Sequence, residues 1–458
     1  MTARRTAIIR SMTAFALLVL TGLWAVSASA NPYDLYGVGS RQKAMGDTGA
    51  ATAKDFSATH YNPARPAFSK DVTFSLEYSA ALPRLKINDI DQESIEGAHG
   101  FSAGIVIPQS LSFVYEQLRG AFAISLYLPD QRLAKVSLYP PAEPRMFRYD
   151  NNSQRFVITP ALSLQVWDGV SIGAGVTFLG GVSGDGLAFD ILLRGAVERA
   201  RSRIDLAIKP QIAPVLGVAY DPFEWLGFGY SFRGSTNLSL DLNIPVDVEI
   251  TSVEVQGIIL IALAGNNFWM PQRHALGGRY DPIKELTLTA ELVWMRWSQM
   301  PNPSPDLDLL IDIGTDDVPV DPYVPQNPFA DGDLYGAEQL NFKDVFSPHF
   351  GAEYRLRAAN WLNLAFRAGY LYEPSPAPEQ TGPLSLLDND RHSLTLGTGF
   401  SFEKFTGVLE KPLDVDLFFQ YSRLVSREHV KDLYTDPQPY LKSNGNIFAF
   451  GLTTALRF

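Results

Sequence analysis

The chain has no cysteine among its 458 residues, which excludes disulfides, thiolate metal sites and lipid attachment through an N-terminal cysteine. Beyond the first thirty residues it also lacks an apolar run long enough for a membrane-spanning helix. The nearest, GIILIALAG at 257–265, is about half of the ~20 residues such a helix needs. Basic runs are missing too, and the formal charge of −11 makes nucleic acid a poor partner. The six histidines (His60, His99, His274, His349, His392 and His429) are scattered, without an HExxH pair. There is no GxSxG elbow, and GVSGDG at 181–186 has neither the spacing nor the context of a phosphate-binding loop. No catalytic residue, metal site or cofactor is expected.

What is present begins with an export label. Arg4, Arg5 and Arg10 precede the apolar FALLVLTGLWAV, and Ala28-Ser29-Ala30 follows as a small-residue cleavage site. That layout predicts a signal peptide over 1–30, too short in its apolar part to remain as an anchor helix. Removing three of the 38 basic residues leaves 35 against 49 acids in the exported chain.

The rest alternates with period two. In LSLQVWDGVSIGAGVTFL, residues 162–179, two alternating runs flank Asp168-Gly169, which reads as a hairpin. The same pattern predicts about fourteen strands: 72–82, 101–115, 121–128, 155–166, 170–179, 205–220, 226–242, 273–280, 286–297, 349–356, 362–372, 392–402, 413–422 and 447–458. Tight turns at 116–120, 167–169, 221–225, 281–285 and 357–361, with a looser one at 403–412, alternate with long connections. Phe448, Phe450, Leu452, Leu456 and Phe458 share one face of the last strand, opposite Ala449, Gly451, Thr453, Ala455 and Arg457. Fourteen strands enclose a bore too wide for side chains alone to fill, so the bulky face is expected to meet lipid and the small, polar face to line the bore. Tyr78, Trp167, Tyr220, Trp225, Tyr280, Trp294, Trp297 and Trp361 fall near strand ends, where interfacial aromatics belong. The expected fold is therefore an all-β transmembrane barrel over 71–458. A segment rich in Gly, Ala and small polar residues at 31–70 is the available stopper.

That segment, RQKAMGDTGAATAKDFSATHYNPA, ends in Asn62-Pro63-Ala64 and stands straight after a signal peptide. With the fourteen-strand pattern and a C-terminal Phe458, it resembles the FadL-type outer-membrane transporters of long-chain fatty acids and other hydrophobic compounds. The resemblance spans essentially the whole exported chain. It implies a hatch inside the barrel, capture of an apolar ligand by external loops, and sideways release at a kink in the third strand of a Gram-negative outer-membrane protein.

The residues carry candidates for each part. Asn62, ahead of Pro63, is biased to an extended conformation, and its amide can satisfy backbone groups in a polar lumen; it either pins the hatch or gates it. In the third strand Pro129-Asp130 interrupts the alternation and is the candidate lateral gate, the alternative being the plain start of an external loop. The third external loop has Leu187, Ile191, Arg194 and Val197 at helical spacing. The fourth carries Val255, Ile258, Ile259, Ile261 and Leu263. Together they are candidates for a hydrophobic groove, or for a lid that buries itself. A carboxylate would want an arginine, for which Arg155, Arg233 and Arg273 are candidates among the lumen-facing charges. Those charges include Glu77, Lys209, Arg279, Glu291, Glu353, Arg355 and Arg367 by strand parity, and mixed signs point to salt bridges that hold the hatch. The acidic 306–321 lacks EF-hand order and reads as a solvated loop, with cation bridging to lipopolysaccharide as the alternative. The expected function is passive uptake of long-chain fatty acids by a monomer surrounded by lipid and lipopolysaccharide. Alkane or aromatic hydrocarbons are the second cargo class. A non-transporting adhesin is a competing reading, and a barrel hydrolase a remoter one.

Overall fold

The computed structural model describes residues 32–458 apart from 94, 111–118, 131–142, 151–155, 180–181, 185–187, 192–198, 204, 209–210, 251–254, 302–305, 315–339, 383, 404–410 and 432–438. Fourteen strands form the wall: β1 Thr73–Ile87, β2 Ala98–Ser110, β3 Arg119–Pro129, β4 Val157–Trp167, β5 Val170–Leu179, β6 Gln211–Phe223 and β7 Leu226–Arg233, then β8 Arg273–Ile283, β9 Leu286–Met295, β10 Val345–Ala359, β11 Leu362–Glu373, β12 Arg391–Phe402, β13 Leu413–Val430 and β14 Tyr440–Arg457. Each pairs antiparallel with the next. β1 pairs with both β2 and β14, from Thr73 opposite Arg457 to Ile87 opposite Ser443, and so closes the ring.

The four tight turns among the described residues share one construction. Trp167 faces Val170, Phe223 faces Leu226, Ile283 faces Leu286 and Ala359 faces Leu362, each just past a register shift in the ladder. Pro222 and Pro282 stand at two of those shifts, where no ladder bond is lost. Each turn is tied to the next hairpin: Asp221 N donates to Gly169 O at 2.7 Å, Asp281 N to Trp225 O at 2.8 Å, Arg355 N to Glu285 O at 2.7 Å and Glu403 N to Trp361 O at 2.9 Å. A belt of turns stiffens this rim.

Burial along the strands is inverted relative to a protein that folds in water. On β12, Leu394 and Leu396 are 59% and 60% exposed, while Thr395 between them is 1% exposed. Phe228, Leu276, Phe350 and Phe450 repeat the pattern on other strands. An apolar belt this continuous is stable only against hydrocarbon, and the polar residues between its members face the bore.

The structure corrects several expectations. Residues 226–242 are not one wall strand: β7 ends at Arg233, and Thr236–Ile250 leaves the wall for an external sheet. The predicted 205–220 likewise divides into Asp205–Ile208 outside and β6 in the wall. Of the stretch with helical spacing, the described part, Ala188–Ile191, is a strand paired with Arg199–Arg203. The apolar 257–265 belongs to the strand Val255–Met270, and the acidic stretch contains the strand Asp306–Gly314. Trp297 is not interfacial but 1% exposed, packed on Phe147, Trp269 and Phe342. In each case pairing or packing with other segments overrides the local signal.

Candidate functional site

The bore is filled by residues 32–70, folded as short helical turns (Pro32–Tyr36, Ser40–Ala44, Ala58–Tyr61 and the 3-10 turn Arg65–Phe68) joined by small residues. Nearly all of them are buried. Small size matters because the hatch backbone lies directly on the wall. Gly46, at φ +67°, sits where any Cβ would overlap the Phe350 carbonyl and the Tyr370 backbone. The wall is thinned to match. A Cβ at Gly173 or Gly217 would enter the Asn62-Pro63-Ala64 backbone and side chains, and one at Gly229 the Ala50 carbonyl. Gly351, Gly369 and Gly397 make the same allowance for Met45, Gly46 and Ala44.

Polar wall residues bind this backbone at fixed points. Glu291 accepts from Gly49 N at 3.0 Å and Ala50 N at 2.9 Å through one carboxylate oxygen. Glu77 accepts from Gly39 N at 3.0 Å and pairs with Lys43 at 3.5 Å. Glu353 receives the Arg41 guanidinium through two bonds of 2.9 and 3.0 Å and that of Arg367 at 2.6 Å; Arg367 continues to Asp416 at 2.6 Å. Thr395 both donates to Ala44 O and accepts from Gly46 N. The lumen-facing carboxylates therefore act as acceptors for hatch N–H groups and arginines, leaving few hatch groups without partners.

Asn62 adopts φ −160° and ψ 104°, the extended conformation that a following proline demands. Its Nδ2 donates to Ala50 O at 2.7 Å and to Val218 O on β6 at 3.0 Å, and its Oδ1 accepts from Ala64 N at 3.0 Å. One amide thus joins two hatch segments to the wall. Ser171 Oγ donates to Ala64 O at 2.9 Å, and Arg65, fully buried, reaches Asp221 at the turn belt at 2.7 Å. His60 is buried edge-on to Tyr33 and Tyr61, with ring centroids 5.7 and 4.9 Å away. Burial first, then the charges of Arg233, Arg273 and Lys43, hold its imidazole well below the usual histidine range.

Among the arginine candidates, Arg233 and Arg273 are direct cross-strand partners on β7 and β8. Both are already engaged by the hatch. Arg233 binds the His60 carbonyl, and Arg273 lies 3.9 Å from Asp47 and 3.8 Å from Glu291. Arg273 borders a small cavity of about 20 Å³ with His349, Glu373 and Arg391, enough for a water and no more. Arg155 lies outside the described residues. Below the hatch, on the tight-turn side, an open chamber of about 770 Å³ is lined by charges of both signs, among them Lys54, Asp71, Arg355, Asp414 and Arg457.

Pro129 ends β3 while still opposite Gly100, and the β2–β3 ladder is continuous from Ser110–Arg119 to that point. Asp130 is bonded to Tyr78 Oη at 2.9 Å and paired with His99 Nδ1 at 2.5 Å, on the lipid-facing side of β1 and β2. Residues 131–142, where an opening would continue, are outside the described set.

The third, fourth and fifth external connections pair into one sheet, in the order Asp306–Gly314, Val255–Met270, Thr236–Ile250, Arg199–Arg203, Ala188–Ile191, with Asp205–Ile208 and Val182–Gly184 beside them. Register sorts its residues by face, since directly opposed residues share one. Rows Leu242–Leu263–Leu307, Ile244–Ile261–Leu309 and Val246–Ile259–Ile311 fall on one face, and Asp241–Ala264–Asp306 and Asp247–Ile258–Asp312 on the other. Ile191, Val255, Ile259, Ile261 and Leu263 thus belong to the uncharged face, whereas Ile258 belongs to the acidic one. Leu187 and Val197 lie outside the described residues. The period-two run DLDLLIDI at 306–313 carries the signal for this strand, masked in the sequence by its acidity.

A family model described as "Outer membrane protein transport protein (OMPP1/FadL/TodX)" matches residues 20–458. Alkane uptake protein A of Marinobacter nauticus is 24% identical over 307 residues, 64% of this chain and 61% of that protein. The long-chain fatty acid transport protein of Escherichia coli K12 is 31% identical over 121 residues, 26% of this chain and 23% of that protein. The chain thus covers only part of the length of these relatives. The crystal structure of the Pseudomonas putida toluene transporter TodX superimposes with a TM-score of 0.52 at 14% identity, covering 94% of this chain and all of that one, a likeness of fold.

Proposed function

The chain belongs to the OMPP1/FadL/TodX family of outer-membrane transport proteins, and from that premise we propose that it admits long-chain fatty acids or similarly apolar molecules by passive diffusion. In this reading cargo adsorbs on the uncharged face of the external sheet, enters the bore above the hatch, and leaves sideways into the membrane near Pro129. The observation that carries it is the contrast between the two ends. The sheet outside offers an uncharged face, while the chamber beneath the hatch is walled by charges that an apolar molecule would have to desolvate. Sideways release into hydrocarbon avoids that cost. The triplet Asn62-Pro63-Ala64 then serves as the hatch clamp, and Pro129-Asp130 as the site of the lateral opening.

A second cargo class is favoured by a specific feature. Arg233 and Arg273 face hatch groups, so neither offers an anion receptor, which suits uncharged alkanes or aromatics better than carboxylates. The relative matched over the longest stretch is named for alkane uptake. Uptake of radiolabelled oleate, hexadecane and toluene by cells without their own uptake protein separates the classes. Removing 253–265 is expected to lower uptake of the true cargo. Unchanged uptake after that deletion would instead support an adhesin or structural barrel.

A further inference from the structure

A second segment is buried among the external connections. In the connection between β3 and β4, Met146, Phe147 and Tyr149 are 0%, 7% and 1% exposed. Phe147 lies edge-on to Trp297 and Phe342, with ring centroids 5.7 and 5.1 Å away. The segment is held to Leu386–Leu387, in the connection between β11 and β12, by a parallel pairing only two residues long. Its bonds are Arg145 N to Ser385 O at 3.1 Å and Phe147 N to Leu387 O at 3.3 Å. Arg148 pairs with Glu373 at 3.3 Å and Asp388 at 3.5 Å and lies over the Trp297 ring. Glu373 also pairs with Arg391, whose guanidinium donates to the Leu35 carbonyl of the hatch at 3.2 and 3.3 Å.

We propose that residues 145–149 form a displaceable strap closing the outer end of the bore, and that the Arg148–Glu373–Arg391 chain couples its release to the hatch. This rests on the transport reading above. The strap is tied to the rest of the protein by a short backbone pairing. Two ladder bonds hold it, where neighbouring wall strands have seven or more opposed residues, and the buried pairs of Arg148 with Glu373 and Asp388 must be given up on release. Apolar contact with Trp297, Phe342 and Leu386 adds to that hold. A hydrocarbon chain can replace those contacts one for one, with no loss of buried apolar surface. When Arg148 leaves, Glu373 keeps Arg391 as its one cation among the described residues, which alters the hold on Leu35 at the far side of the same cluster.

The absence of cysteine makes a direct test available. Met146 and Leu387 are register partners, so oxidation of a Met146→Cys/Leu387→Cys variant should lock the strap. Cells expressing it are expected to take up radiolabelled oleate or hexadecane about ten-fold more slowly when oxidised, with the rate restored by reductant. Equal rates with the disulfide formed and the barrel still migrating as the compact unheated form would overturn the strap. If the unmodified protein takes up neither probe, the transport reading fails on its own. The strap is then tested by maleimide labelling of the single Met146→Cys variant. Its buried thiol should react faster when oleate is added, and a rate indifferent to oleate and hexadecane would count against it. A Glu373→Gln change should abolish the effect of oleate on labelling of a thiol placed at Leu35, while the labelling at 146 persists.

Discussion

The two closures of the bore are built from opposite chemistry. The hatch is held by carboxylates, threonines and one asparagine that bind its backbone at fixed points, against glycines that leave no space for adjustment. The outer segment at 145–149 is held mainly by aromatic and aliphatic contact, with a short pairing and the ion pairs of the single residue Arg148. Directional bonds resist an apolar molecule because it cannot replace them. Apolar contacts yield to it because it can. The lower seal is therefore suited to excluding water and ions, and the upper one to yielding to cargo.

The sharpest break in that comparison is a Cβ at the hatch interface. Gly229→Val should push the Ala50 carbonyl off the wall, costing about 3 kcal/mol or more of docking, and should raise small-solute leakage in a conductance assay. Gly278→Ala, on the neighbouring strand, would meet only the Phe228 ring at an ordinary 3.9 Å and should leave conductance unchanged. Equal effects would refute the close-fit argument. Next, Glu291→Gln weakens two charge-assisted bonds to hatch N–H groups, expected to cost about 1.5–3 kcal/mol and to show as faster exchange of the Gly49 and Ala50 amides.

A smaller effect should follow pH. Because the folded state holds His60 neutral, its contribution is present in full above the ordinary histidine value of 6.5 and is lost as pH falls below it toward the depressed folded value. Acidification from about pH 7 to 5 should loosen the hatch, read as labelling of a thiol placed at Tyr33. Burial raises the Asp55 carboxyl, which opposes this, but from its ordinary value of 3.8 upward. His60→Gln should flatten the response, and a slope that survives this change would move the cause elsewhere. The smallest effect belongs to the rim: Asp414→Asn removes a partly exposed pair with Arg457 and should change thermal stability by about 0–1 kcal/mol.

Much of this architecture is legible in the chain. Strand parity identifies Leu394 and Leu396 as outward and Thr395 as inward, because alternation is a local property of a pleated backbone. The carboxylates Glu77, Glu291 and Glu353 are recognisable as bore-facing for the same reason. Their partners are not, since nothing local links Glu291 to Gly49 or Glu353 to Arg41, hundreds of residues away. The aromatic position of Trp297 at a strand end fits either an interface or a core, and only Phe147 and Phe342 arriving from other connections decide between them. The external sheet is a harder case. Its strands carry alternation, yet their acidity and length make them read as loops.

Sequence alone determined that this chain alternates apolar and small residues in segments too short for helices and too numerous for a filled core, and hence that it spans a membrane as a closed sheet. It could do so because periodicity and turn chemistry act between neighbours. What closes the bore at each end was decided only in three dimensions. The hatch and the outer segment have no periodicity of their own, and their conformations are imposed by wall residues that the closed ring brings around them.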